Sequence, residues 1–522
     1  MAIVGIDLGT TYSVVAKVNE LGKPEILPNQ DSGTLLTPSV VFFESEKVTV
    51  VGDVAKNTAE SDPEHVVQFV KNYMGRSKTW QFFGRAYIPE QISALILTKL
   101  RQDAENYLDE PITQAVITVP AIFGDAERTA TKEAAKIAGI KVLSIVNEPV
   151  AAAISYGFGR RGGIKESKNV LVYDLGGGTF DITVIRISEN CVKVLHTEGD
   201  RLLGGKLWDD AIIHYVADCF QSKHGADPRR DAATLQDLRS RAEQAKKNLS
   251  QKEKQVIVCN HAGQALEIEM TRSKFEALTV DLLDRTKATT EWVMQQLIAT
   301  GKLAGWPEID QVLLVGGSSK MPQVAKMMQQ LSGQEPKLHD PDLAVAKGAA
   351  LYGVMQLVIE EQKTGNPVPD DIGVDPPLMG GLMVQVENTC SQAIGIESID
   401  RDDDRLITNR IIIPKNAELP ARVTQRFKTS TDSKVVVQIP ILQGDDPDPE
   451  RCERLGEFYI TGIPPGLPKG SPIEITIEVD NNEALIRGRA IETTYNTECI
   501  FEIRREREID LPQAKADLPE VE

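Results

Sequence analysis

A chain of 522 residues is too long for one ordinary hydrophobic core, so two or more domains are expected. A formal charge of -18 makes nucleic acid a poor partner, and no apolar run reaches the roughly 18 residues that would cross a membrane. Six cysteines and six histidines lie far apart with no Cys-x-x-Cys pair, which argues against structural zinc and a disulfide framework and fits a reducing cytoplasm.

Residues 1–5 read as a first β-strand rather than as a secretory leader. Up to about residue 355, strands alternate with helices, the mark of α/β architecture. Strands are expected at 14–18, 116–119, 170–173, 182–187, 256–259 and 312–315. Helices are expected at 126–137, 149–156, 235–249 (facing solvent) and from Pro322 onward. Residues 360–381 then become polar and rich in Pro and Gly, a linker composition. Beyond them, short strands at 411–413, 435–441, 458–460, 473–479 and 485–491 follow one another without a helix, which predicts a compact all-β domain. Pro440 inside one strand implies an edge or a bulge. The charged residues 506–522, broken by Pro512 and Pro519, allow a turn or two of helix. The expected domains are 1–358, a linker at 359–382, a β domain at 383–505 and a tail at 506–522.

One segment occurs twice. Gly5-Ile6-Asp7-Leu8-Gly9-Thr10-Thr11 is echoed by Asp174-Leu175-Gly176-Gly177-Gly178-Thr179, each an apolar strand ending in Asp, then a Gly/Thr turn, then a second strand. Glycines let successive N–H groups approach an anion, threonines add hydroxyl donors, and Asp7 and Asp174 offer carboxylate oxygen to hydrated Mg2+. Two tight hairpins with Asp and Thr as turn formers are the competing reading, and the recurrence, with Asp181 following the second copy, favours phosphate binding. A strand running into Gly316-Gly317-Ser318-Ser319 offers bare backbone to a nucleoside. Glu243, Lys246 and Ser250 share one helical face, and a surface ion pair of Glu243 with Lys247 is the alternative there. No P-loop occurs. Gly157-Phe158-Gly159-Arg160-Arg161-Gly162 matches the dinucleotide-binding spacing but follows a helix and precedes a strand, the reverse of the required context, so it reads as a loop.

Gly5 to Ser13, Asp174 to Asp181, Ile117-Thr118-Val119-Pro120-Ala121 and Val146-Asn147-Glu148-Pro149-Val150 together resemble the DnaK-type, seventy-kilodalton heat-shock chaperone family, from the start to about residue 355 and more loosely to about 505. The resemblance implies an α/β actin-like two-lobed ATPase domain followed by an all-β sandwich that binds apolar peptides of unfolded proteins. It implies ATP and Mg2+ as cofactors, with Thr10, Thr11 and Tyr12 beside Gly9 at the phosphates. Lys71 would be the catalytic lysine, and Asp7, Asp174, Asp181, Glu148 and Thr179 would order water and water-bound Mg2+ near Asp7 and Asp174. Gly176, Gly177 and Gly178 would join the phosphate turn. The nucleoside pocket would comprise Gly204, Gly205, Glu243, Lys246, Ser250, Gly316, Gly317, Ser318, Lys320 and Asp342. Pro120 and Arg128 would relay nucleotide state. Ile396, Phe427, Val437 and Ile439, with Val435, would form a peptide slot arched by Ile399 and Ser430, although the same residues also read as sandwich core. J-domain and nucleotide-exchange co-chaperones, a monomeric state and a cytoplasmic location follow from the same resemblance.

The departures from the family pattern are Lys206 and Leu207 beside Gly205, Lys320 in place of an adenine-stacking arginine, Asn72 where a basic residue is common, Ser144 in place of a J-domain-docking arginine, and an expected absence of the helical lid. The linker is reduced to Leu382-Met383-Val384-Gln385-Val386, with Gln385 in place of Asp. That predicts weak coupling, with peptide accelerating hydrolysis less than about fivefold. A holdase or exchange partner with little cycling, and a metabolite kinase on the same fold, are the competing functions.

Overall fold

The computed structural model describes residues 2–158, 166–189, 191–364, 384–400, 406–481, 485–504 and 511–521. Residues 365–382 of the expected linker, 383 and 505 at the ends of the expected β domain, Gly159 to Gly162 of the glycine loop, and 506–510 of the expected tail lie outside the described residues.

The repeated segments build two matching halves. In lobe I, Ala2–Asp7 forms a hairpin with Tyr12–Val18, pairing Asp7 with Val14, and lies parallel to Ile112–Val119. In lobe II, Lys168–Leu175 forms a hairpin with Phe180–Ser188, pairing Asp174 with Asp181, and lies parallel to Gln311–Val315. Each hairpin belongs to a six-stranded sheet. The central strands are buried on both faces, which explains their continuous Val/Ile/Leu runs.

Helix Ala344–Thr364 packs on helix Glu148–Phe158 and on the Ala2–Asp7 strand, joining the two halves. Gly348 makes that approach possible, because a Cβ there would fall 1.7 Å from the Ala151 carbonyl oxygen. This helix runs to Thr364. Helix Ala232–Leu249, expected to face solvent, buries Leu238, Ala242, Ala245 and Leu249 in the lobe II core, so only part of it meets water.

The third unit is a sandwich of two four-stranded sheets. One holds Ile407–Ile413, Ile394–Ile399, Val437–Gln443 and Glu453–Ile460; the other holds Ala421–Lys428, Pro472–Val479, Leu485–Glu492 and Thr497–Arg504. The alternating burial along Pro472–Val479 drives its inner face into an isoleucine-rich core. Val435, placed by alternation in a strand, instead precedes one and is exposed.

The sandwich is docked on both lobes. Gln385–Glu387 adds as a parallel strand to the edge strand Cys191–Asp200 of lobe II. The Asp125 N–H in lobe I donates to Gln443 Oε1 at 3.1 Å, and Gln392 Nε2 donates to the Ile122 carbonyl at 3.2 Å. Asn416 bridges to the Thr197 main chain and to His196, and Lys415 pairs with Glu198.

Candidate functional site

The hairpin turns of the two lobes meet face to face across a cleft of about 870 Å3. Ser39 Oγ donates to the Gly9 carbonyl and the Gly9 N–H to Ser13 Oγ, fixing the first turn. In the second, the Gly176 N–H donates to the Thr179 carbonyl, while Gly205 N–H and Lys206 N–H donate to the carbonyls of Gly176 and Gly177. A Cβ at Gly177 would lie 1.9 Å from Thr11 Oγ1, so the turns interlock only because that side chain is missing.

Beneath the turns sit Asp7, Asp174, Asp181 and Glu148 with Lys71. The ammonium of Lys71, almost inaccessible to solvent, donates to Glu148 Oε1 at 2.5 Å. Thr118 Oγ1 donates to Asp7 Oδ1. Burial, and then the charge of Glu148, push Asp7 up to about 7 and Asp181 to about 8, and Asp174 rises well above the carboxylate range for the same reasons. Burial would lower the Lys71 pKa, but Glu148 and Asp7 outweigh it and hold the lysine charged. Four acids thus face one lysine, an excess of negative charge that a divalent cation would relieve. The Asp181 carboxylate is fully buried with acceptor capacity to spare, the state expected of a group that also takes water or a hydrated ion. Among the described residues, no group of three His, Cys, Asp or Glu is spaced to ligate a metal directly. The excess of carboxylate over cation fits a hydrated divalent ion.

At the mouth of the cleft Glu243 accepts from Lys56 and Lys247, and Tyr12 Oη joins the same cluster. Burial pushes Glu243 up, yet Lys56 and Lys247 more than compensate and hold it down at about 2. Lys246 bonds Asp209 and the Gly205 carbonyl, Ser250 Oγ donates to the Lys246 carbonyl, and Lys320 is paired with Asp342.

In the sandwich, Ile394–Ile399 pairs with Val437–Gln443 only through Ile394↔Gln443, Gly395↔Leu442 and Ile396↔Ile441. Beyond that point the two strands part, so Glu397–Ile399 and Val437–Pro440 have no ladder partner in each other. Pro440, which lacks an N–H, falls in this parted stretch, and a register shift follows at Ile441/Leu442.

The family model described as Hsp70 protein matches residues 3–83, 78–364 and 384–513. The chain is 40% identical to the proteins named "Chaperone protein DnaK" from Thermotoga petrophila, Thermotoga maritima and Thermotoga neapolitana, over 92% of its own length and 76% of theirs. The chain belongs to the Hsp70 family. This Hsp70 is an ATP-dependent chaperone, and its enzymatic activity is ATP hydrolysis. The metabolite-kinase reading falls with that assignment.

The Hsp70 cleft brings together most of the residues singled out from the sequence: Asp7, Gly9, Thr10, Thr11, Tyr12, Lys71, Glu148, Asp174, Gly176, Gly177, Thr179, Glu243, Lys246, Ser250, Gly316, Gly317, Ser318, Lys320 and Asp342 all line it. Tyr12 Oη donates to Glu243 Oε1 and accepts from Lys247. Lys56 was missed, being a lone lysine on the short helix Asp53–Thr58 with no motif around it. Asn72, noticed only as a departure, places its buried, unpartnered Oδ1 beside Gly178. Of the peptide-slot residues, Ile396 and Ile439 are core, Phe427 and Val437 pack at its margin, and Ile399 and Val435 are exposed. Arg410 lies over the Phe427 ring at 4.8 Å.

Proposed function

We propose that this chain hydrolyses ATP at the Lys71 centre of an actin-like cleft and passes the nucleotide state to a sandwich that holds extended apolar segments. The observation that carries the reading is the convergence of both Gly/Thr turns, from opposite lobes, above the Lys71–Glu148 pair. Backbone N–H groups at Thr10, Thr11, Gly177 and Gly178 cradle the phosphates, with Gly204 and Gly205 behind them. Lys71 stabilises charge on the transferring group, and Glu148 with Asp181 and Thr179 positions the attacking water. Bound Mg2+, held through water near Asp7 and Asp174, supplies charge neutralisation. The nucleoside lies against Gly316, Gly317 and Ser318, between Ser250 and Asp342.

The parted edges of Glu397–Ile399 and Val437–Pro440 are where an extended peptide adds main-chain hydrogen bonds, with Ile399, Ser430 and Val437 beside it. J-domain and exchange co-chaperones act on it in the cytoplasm, as the relatives' family suggests; no described helix is long and apolar enough to cross a membrane. The test is a single-turnover ATPase assay on the parent and on Lys71→Ala, with nucleotide affinity measured in parallel. Loss of turnover with retained binding supports this assignment, and equal turnover removes Lys71 from it.

A further inference from the structure

The segment Leu511–Val521 follows the last strand of the sandwich, yet it packs on lobe I. Its helix, Leu511–Ala516, lies on helix Asp125–Ile137, with Ala514 buried in the lobe I core. Glu520–Val521 then adds as a parallel strand to the edge strand Val48–Val51, pairing Glu520 with Val48 and Val521 with Thr49. The Glu520 N–H donates to the Lys47 carbonyl at 2.7 Å, and Thr49 Oγ1 donates to the Glu520 carbonyl at 3.0 Å. Leu518 and Val521 pack against the same core. An unpaired sheet edge is a template for any extended chain, and here the chain's own segment fills it.

The hydrogen bonds and ion pairs that dock the sandwich elsewhere are polar: Gln443 on Asp125, Gln392 on Ile122, Asn416 on Thr197, Lys415 on Glu198. Such contacts exchange readily for water. The segment 511–521 instead brings an apolar grip on lobe I, while the strand Gln385–Glu387, which precedes the sandwich in sequence, pairs with lobe II. A connection held at both ends raises the effective concentration of the polar interface between them.

We propose that residues 511–521 are a strap that binds the Val48–Val51 edge in cis and holds the sandwich on lobe I, so that undocking requires the strap to release. The strap acts on docking, not on the chemistry at Lys71, so its test reads docking directly.

Hydrogen exchange is measured on the full chain with MgATP and with MgADP, in the parent and in Leu518→Asp/Val521→Asp. Both positions are only partly buried on the surface of lobe I. Residues 124–131 and 441–444 should exchange at least about fivefold faster in the variant, with Lys168–Leu175 unchanged as the folding control. Equal exchange at the interface in parent and variant overturns the proposal. A second variant, Val48→Cys/Glu520→Cys, uses the paired register to lock the strap by a disulfide. The oxidised protein should keep the interface protected with either nucleotide and return on reduction to the parent's nucleotide-dependent exchange; undocking as freely when locked as when reduced overturns the cis strap. So does a parent whose tail protection depends on protein concentration, which would place the segment on a second copy.

Discussion

Lys71 is held on all sides by acid: Glu148 by a hydrogen bond, Asp7 and Asp174 by charge. Removing its ammonium takes away the cation hydrogen-bonded to Glu148 and charge-coupled to Asp7 and Asp174, and with it, in the proposed mechanism, the charge that stabilises the transferring group. Lys71→Ala should therefore lower the ATP turnover rate by about a hundredfold or more, the scale for losing one charge-stabilising group. Nucleotide affinity should change far less, since the phosphate turns and Gly316 to Ser318 are untouched; comparing single-turnover rates with binding isotherms checks this. Residue identity at the turns was legible because the Asp–Gly/Thr segment occurs twice and each residue type has a chemical reason to be there. Lys56 was not legible, because its partners Tyr12 and Glu243 lie far away in sequence on two different lobes.

Among the elements, the strand Val437–Gln443 shows how a sequence pattern can support two readings at once. Alternation put Val435, Val437 and Ile439 on one face, but it could not say whether that face lines a slot or fills a core. Ile439 turns out to be almost fully buried among Ile396, Ile441 and Phe501 neighbours of the sandwich core. Ile439→Ala should cost about 2–5 kcal/mol of sandwich stability, the range for truncating a buried isoleucine, measured by denaturant unfolding. Ile399→Asp, at an exposed position beside the parted edges, should weaken peptide binding with little loss of stability, as fluorescence anisotropy of a labelled apolar peptide would report. Three strands of the sandwich, Ile394–Ile399, Ala421–Lys428 and Thr497–Arg504, were missed: their exposed faces carry Arg, Glu and Lys in ion pairs, which dilutes the apolar signal.

The strand Cys191–Asp200 carries a pH dependence. His196 on it faces Asn416 of the sandwich, and burial, with the nearby charges of Lys302 and Lys415, lowers its pKa to about 4. Between that value and the ordinary 6.5, the docked form binds fewer protons than an undocked form with solvated imidazole. Docking is thus strongest above pH ~6.5, weakens as the pH falls toward 4, and loses nothing further from this group below it. For a partly exposed group the effect is on the order of 1–2 kcal/mol after solvent screening. Interface protection, corrected for the intrinsic slowing of amide exchange in acid, should fall on acidification across this window, and His196→Gln should flatten the profile.

Over the whole molecule, the sequence predicted weak coupling because Gln385 lacks a charge and the linker looked eroded. The structure removes part of that reason. Val384 and Val386 are buried against lobe II while Gln385 points outward, so the apolar docking persists and the altered residue is on the solvent side. That outcome depended on which side of a three-residue strand faced the sheet, something a short segment next to a Pro/Gly stretch does not reveal. From the sandwich, contacts run without a break: Gln443 to Asp125, the helix Asp125–Ile137 to Arg128, Arg128 Nη2 to Asn147 at 2.6 Å, and Asn147's neighbour Glu148 to Lys71. Contiguity alone is not coupling, but it specifies where coupling should fail: Gln443→Ala and Val386→Asp should each reduce the response of hydrolysis to peptide while leaving basal turnover in place.

The central claim is that peptide held by the sandwich and ATP held at Lys71 bias the same docking equilibrium. The most direct measurement is single-turnover ATP hydrolysis by the full chain with and without a saturating extended apolar peptide, with Lys71→Ala as the blank. With the linker strand docked, peptide should accelerate hydrolysis about five- to twentyfold, within the usual ~1–3 kcal/mol of allosteric coupling, and Val386→Asp should abolish the acceleration. Equal rates with and without a peptide that demonstrably binds would contradict the account.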